Sequence, residues 1–71
     1  MNVDLLVTMA NDIATFFDHE PDRSAATTSV ATHLTRYWEP RMRRQIVDHY
    51  RAGGRGLNEL AQAAVEQLAK S

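Results

Sequence analysis

The fold class is decided by residues 37–51, YWEPRMRRQIVDHYR, which join a helix break to a two-sided helix. A proline disfavours helical angles at the residue before it, so Pro40 predicts a break at Glu39 and the start of a helix that runs to Arg51. At about 100° per residue, one side of this helix carries Met42, Ile46, His49 and Tyr50, with Val47 at its edge. The opposite side carries Arg41, Arg44, Asp48 and Arg51, and Arg43 lies at the border.

The rest of the chain has the same helical periodicity and lacks the alternation typical of strands. We predict helices over residues 3–17 with Asn2 as N-cap, from Asp22 or Ser24 to Tyr37, and from Asn58 as N-cap to Ala69. The apolar stripes of the first two helices include Phe16 and Tyr37. The predicted core contains Leu6, Ile13, Phe17, Val30, Leu34 and Ile46. The expected fold is all-α, a small compact bundle of three to four short helices that forms a single domain over residues 1–71.

The size of the chain limits what it can do alone. With 71 residues and 8.0 kDa, it is in the range where small domains usually need a disulfide, a metal or a partner for stability. Cysteine is absent, which excludes a disulfide, an iron–sulfur cluster and a thiolate metal site. No apolar run approaches the ~18 residues of a membrane span, and no export signal is visible, so we expect a cytoplasmic protein.

Charge is distributed unevenly along the chain. Residues 1–23 carry five carboxylates and one arginine, whereas residues 36–55 carry six arginines, two carboxylates and no lysine. Two interpretations remain open. The two parts attract each other within the fold, or the basic part faces an acidic partner.

No catalytic, cofactor or metal site is predicted. The three histidines contain no His-x-x-x-His pair, and the glycines at 53–56 lack the lysine of a phosphate-binding loop. A chain of this size also rarely builds an active site by itself, because a catalytic pocket needs supporting residues around it. We therefore expect a protein that is not itself an enzyme.

The best candidate for a partner interface is the segment around the third helix, because tryptophan and arginine are enriched in interface hot spots. The predicted interface residues are Trp38, Pro40, Arg41, Arg43, Arg44 and Arg51. Two alternatives stand beside this prediction: Trp38 as a core anchor, and the arginines as a solvated helix face. Self-association of the isolated chain is a further possibility.

At these residues the chain resembles a known family, the delta subunit of cytoplasmic NAD-dependent, molybdenum-containing formate dehydrogenases. The similarity covers nearly the whole chain in order. It rests on residues 6–11, Ile13, Phe16-Phe17, Pro21-Asp22, His33, residues 38–43, Gly53-Gly54 and Gly56-Leu57. Asn58-Glu59 departs from the family pattern, in which many relatives are expected to have a proline.

The resemblance implies a non-catalytic accessory subunit of a multi-subunit enzyme, which supports its assembly, stability or cofactor maturation. Such complexes oxidise formate at a molybdenum cofactor in the large alpha subunit and pass the electrons through iron–sulfur clusters and flavin to NAD. The expected partner is the alpha subunit, and docking is expected through residues 38–44. The alternative is a nucleic-acid-binding or regulatory helical module that uses the arginine-rich third helix, although the sequence pI of about 6.2 argues against nucleic acid.

Overall fold

Four helices follow one another in the computed structural model, which describes residues 1–70. They are α1 (Val3–Phe17), α2 (Arg23–Tyr37), α3 (Pro40–Arg51) and α4 (Glu59–Lys70). The described part of the chain is 77% helical and contains no strand. The predicted all-α bundle is therefore confirmed, with four helices. No helix within residues 1–70 is both long and apolar enough to cross a membrane.

Three of the four helices begin at a side chain that accepts a hydrogen bond from a backbone N–H of the first turn. These bonds join Asn2 Oδ1 to the N–H of Asp4 at 2.7 Å, Asp22 Oδ1 to that of Ala25 at 3.1 Å, and Asn58 Oδ1 to that of Ala61 at 2.8 Å. Asp22, not Ser24, is thus the cap of α2. α3 has no side-chain cap and begins at Pro40, whose missing N–H needs no acceptor.

The intrinsically weak helix α2 is stabilised by tertiary packing. Its threonines lower its helix propensity, and the bonds from the Thr27 and Thr35 hydroxyls to the carbonyls four residues earlier, each at 2.9 Å, do not compensate for this. α2 packs mainly against α4, and also against α1. Packing of its apolar side therefore supplies the order that its local sequence does not.

The core is formed by 14 buried hydrophobic residues, six of which are alanine. Alanine has a small side chain, so helices that meet at alanines can approach closely. The largest fully buried side chains are Leu6, Leu34, Ile46, Val30 and Val65. Four of the six predicted core residues, Leu6, Val30, Leu34 and Ile46, are therefore confirmed.

The other two predicted core residues are only partly buried. Ile13 and Phe17 pack against the edge of the core instead of filling it. Phe16 and Tyr37, placed on the apolar stripes of α1 and α2, are 72% and 70% exposed. The backbone is extended at Trp38, four residues after Leu34, and the Trp38 side chain lies in the core while the preceding Tyr37 side chain remains outside.

The connection between α3 and α4 is a turn held in place by α1. Gly54 and Gly56 have φ angles of +66° and +88°, which favour glycine. The side chain of Asn11 donates to the carbonyl of Gly56 at 2.9 Å and accepts from the N–H of Asn58 at 2.8 Å. One amide side chain thus links the middle of α1 to the start of α4.

Candidate partner interface

Trp38, one of the predicted interface residues, is buried in the structure. Its side chain is 5% exposed and belongs to the core. The structure thus places it in the position of the core anchor considered as the alternative. Truncation of this side chain would disturb the corner between α2 and α3 rather than remove a surface contact.

Arg43 supports the same corner. Its side chain is half-buried, and its Nη1 donates to the carbonyl of Thr35 at 3.1 Å and to the carbonyl of Trp38. The last carbonyls of a helix have no partner within the helix, and they attract a cation. Arg43 therefore stabilises the C-terminal end of α2, as expected for a residue at the border of the α3 stripe.

Arg41 and Arg44 have a different environment. Both are exposed, and neither forms a hydrogen bond or an ion pair with any residue in the described part of the chain. Pro40 is also exposed, and Arg51 donates from Nη2 to the carbonyl of Ala69 at 3.3 Å. Arg41 and Arg44 thus keep all their donors for carboxylates or phosphates, which guanidinium groups bind in a bidentate geometry.

A groove of about 360 Å³ lies beside this arginine face, between α3 and α4. Its charged lining consists of Arg43, Arg44 and Arg51, and none of the residues 1–70 that line it carries a carboxylate. The apolar part of the lining is Val47, Leu68 and Ala69, and Thr35 contributes from α2. A cavity with basic side chains around apolar ones fits a partner that presents apolar side chains next to carboxylates.

A polar cluster further along the same two helices joins α3 to α4. Glu66 forms an ion pair with Lys70 at 3.0 Å, and a hydrogen bond with Lys70 and then one with Tyr50 lower the pKa of Glu66. The hydrogen bond with Glu66 in turn raises the pKa of Tyr50. Glu66 is thus already occupied by two partners within the chain.

Two of the three histidines contact nearby backbone carbonyls. Nε2 of His49 lies 2.7 Å from the carbonyl of Arg55, and Nδ1 of His19 lies 3.0 Å from the carbonyl of Phe16. Within residues 1–70, no group of three or more histidine, aspartate or glutamate side chains lies close enough together to hold a metal ion.

Comparison with known proteins identifies the family. The family model described as the NADH-dependent formate dehydrogenase delta subunit, FdsD, matches residues 5–65. The chain belongs to this family. No curated protein and no solved structure gives a match.

The family relationship sets the context for the arginine face. A delta subunit of a formate dehydrogenase is one subunit of an enzyme complex, and the other subunits of that complex are its implied partners. The match runs from the first turn of α1 through all of α2 and α3, and it contains every predicted interface residue. The resemblance proposed from the sequence is thus confirmed.

Sequence reasoning did not identify Asn11 or Arg36 as important side chains. Asn11 bonds to groups 45 and 47 residues away, and no local pattern predicts such a contact. In the sequence, Arg36 is one of six arginines in the basic middle of the chain. In the structure it lines two adjoining grooves.

Proposed function

We propose that this delta subunit has no active site of its own and binds the large, molybdenum-containing alpha subunit of an NAD-dependent formate dehydrogenase in the cytoplasm. In this role it favours the assembled or cofactor-loaded form of the enzyme. The observation that carries the proposal is the pair of unpartnered arginines, Arg41 and Arg44, beside a basic groove, in a chain that belongs to a delta-subunit family.

The proposed contact divides the predicted interface residues into two groups. Pro40, Arg41 and Arg44 meet the partner directly, with Arg51 at the edge of the groove. Trp38 and Arg43 contribute indirectly, because Trp38 packs in the core and Arg43 donates to carbonyls at the end of α2. They hold the start of α3 in the orientation that the exposed arginines need.

The physical route is linkage between binding and assembly. A subunit that binds only the assembled or cofactor-loaded form lowers the free energy of that form. The population of that form therefore rises. At a free concentration 100 times the Kd, this stabilisation amounts to about 2.7 kcal/mol. That is a large fraction of the net stability of an ordinary protein domain.

The test compares the dehydrogenase purified with and without this chain, with activity, molybdenum content and thermal lifetime as readouts. We expect the enzyme without the chain to lose activity and lifetime. A loss of activity in proportion to a loss of molybdenum, with an unchanged thermal lifetime, would identify cofactor maturation as the main role. Equal values for all three readouts would contradict the accessory role.

A double variant tests the docking surface. Arg41→Glu with Arg44→Glu should leave the helical content and the melting temperature of the isolated chain unchanged, because both side chains are exposed and unpartnered. Its affinity for dehydrogenase that lacks this chain should fall at least tenfold. Arg55→Glu in the glycine turn is the matched control, since its exposed side chain also has no partner within residues 1–70. Normal binding by the double variant would exclude this surface.

A further inference from the structure

Four aromatic rings form a continuous row across α1 and α2. The ring centroids of Phe16 and Phe17 are 5.1 Å apart, those of Phe17 and His33 are 6.4 Å apart, and those of His33 and Tyr37 are 4.7 Å apart. The two outer rings, Phe16 and Tyr37, are mostly exposed. Contiguous exposed apolar surface of this kind marks interaction sites on soluble proteins.

A second groove of about 360 Å³ opens beside this aromatic row. Phe17, His33, Tyr37 and Arg36 line it together with small polar residues of α2, and among the described residues no carboxylate contributes to the lining. The Arg36 side chain forms no hydrogen bond or ion pair with the rest of residues 1–70. The groove thus combines aromatic surface with one unneutralised cation.

A third, smaller cavity lies between this groove and the groove beside the arginine face. Thr32 and Arg36 also line this smaller cavity of about 190 Å³. That cavity shares Thr35 and Leu68 with the groove between α3 and α4. Three adjoining cavities therefore lie between the aromatic row and the arginines of α3.

We propose that this surface binds one extended segment of another formate dehydrogenase subunit, which places an apolar side chain against Phe17 and Tyr37 and a carboxylate on Arg36. The inference rests on the proposed function and adds a second anchoring point to it. An acidic segment would complement the charge of this surface. Among the described residues, no aspartate or glutamate lines either groove beside Arg36 or beside the arginines of α3. The segment also needs an apolar side chain, because the ring of Tyr37 is exposed and would be buried by it.

The dimensions of the molecule set the length of the segment. The bundle measures 31 × 21 × 18 Å. At about 3.3 Å per residue, an extended segment that crosses one face needs roughly six to nine residues. A second copy of this chain is a less suitable occupant, since the adjoining cavities place the aromatic groove next to the surface that already meets the dehydrogenase.

The test is the Kd of the full chain for dehydrogenase purified without it. Tyr37→Ser and Arg36→Glu should each raise the Kd at least tenfold. Both positions are exposed, so the circular dichroism spectrum and melting temperature should be unchanged. Arg36→Glu decides the test by itself if Tyr37→Ser alters the fold. Leu5→Ser and Arg55→Glu are the matched controls, an exposed apolar residue and an exposed arginine outside the groove, and should stay within twofold of the parent.

The outcomes separate this inference from the proposed function. If the parent chain binds and the Arg41→Glu, Arg44→Glu variant binds poorly, but Tyr37→Ser and Arg36→Glu bind normally, only the inference is wrong. If the parent does not bind, both are wrong. If Tyr37→Ser abolishes self-association of the isolated chain and leaves binding to the dehydrogenase unchanged, a second copy occupies the groove and the inference is overturned.

A cross-linking experiment tests the chemistry of the occupant. The chain has no cysteine, so Tyr37→Cys creates a unique site for a photoreactive maleimide. The cross-linked peptide should come from a dehydrogenase subunit and contain an aspartate or glutamate within a few residues of an apolar side chain. A cross-linked peptide that is basic, or that comes from a second copy of this chain, would overturn the inference.

Discussion

Arg43 donates from its guanidinium to the backbone carbonyl of Trp38, the residue whose side chain closes the core after α2. The same nitrogen donates to the carbonyl of Thr35 at 3.1 Å. A surface helix and a buried aromatic residue are thus joined at one corner. This corner sets the direction in which α3 leaves α2, and with it the position of the exposed arginines.

Arg43→Ala should lower the free energy of unfolding by about 1–2 kcal/mol, because two carbonyls at the end of α2 lose a charged donor. Urea denaturation measures the change. Arg44→Ala is the control and should change stability by less than about 0.5 kcal/mol, since its side chain has no partner within residues 1–70. Equal effects of the two substitutions would contradict the structural role of Arg43.

Trp38→Ala should cost about 3–5 kcal/mol, as expected for truncation of a buried large aromatic side chain. A domain of this size has a total stability of only about 4–11 kcal/mol, so the variant should be largely unfolded at 37 °C. Thermal denaturation followed by circular dichroism measures the effect. Tyr37→Ala, one residue earlier but exposed, should melt close to the parent. A Trp38→Ala variant that melts like the parent would disprove the core position.

Asn11→Ala should destabilise the chain by about 1–3 kcal/mol, because the carbonyl of Gly56 and the N–H of Asn58 both lose their side-chain partner. Asn11→Asp keeps the acceptor but not the donor, so its cost should be intermediate. Hydrogen exchange at the Asn58 amide should accelerate in Asn11→Ala. The neighbouring exposed Asp12→Ala should leave this exchange rate unchanged.

Gly56→Ala should destabilise the fold by about 1–3 kcal/mol, since the backbone there has a φ of +88°. A Cβ at this position would also lie 3.2 Å from Cγ1 of Val7. The substitution should therefore cost less in a Val7→Ala background than in the parent. Chemical denaturation of the four proteins of this cycle measures the coupling, and strictly additive effects would show that the contact with Val7 is unimportant.

Glu66 should contribute stability at neutral pH that disappears at both extremes. The pKa of Glu66 is lowered from 4.5, mainly by its hydrogen bond with Lys70, so its contribution is present above pH 4.5 and is lost as the pH falls through the lower folded value. The pKa of Tyr50 is raised from 10.0, mainly by its hydrogen bond with Glu66. That contribution is present below pH 10.0 and is lost as the pH rises through the higher folded value.

Glu66→Gln tests this pH dependence. The melting temperature of the parent should exceed that of the variant between about pH 5 and pH 9, and the difference should shrink toward pH 3 and above pH 11. High salt should reduce the difference because the ion pair is exposed. A difference that is constant across the whole pH range would contradict an electrostatic origin.

The sequence by itself determined the helices and most of their ends. Caps such as Asn2, Asp22 and Asn58 act on backbone groups within three residues, and the apolar periodicity of each helix lies within its own segment. The family was also accessible from the sequence, because the matching residues run in order along most of the chain. The interface residues remain predictions, since their partner lies outside the chain.

Only the tertiary structure decided which apolar residues close the core and which stay outside. The pattern placed Phe17 and Tyr37 on apolar stripes, yet burial depends on which neighbouring helix covers each position. The extended backbone at Trp38 brings its side chain into the core and leaves Tyr37 exposed. The contact of Phe17 with His33 likewise needs two separate helices to pack together, and the bonds from Asn11 to the glycine turn need α1 to meet a segment about 45 residues away. Periodicity gives the direction of a side chain around its own helix, whereas the position of the neighbouring helix is set by packing of the whole bundle.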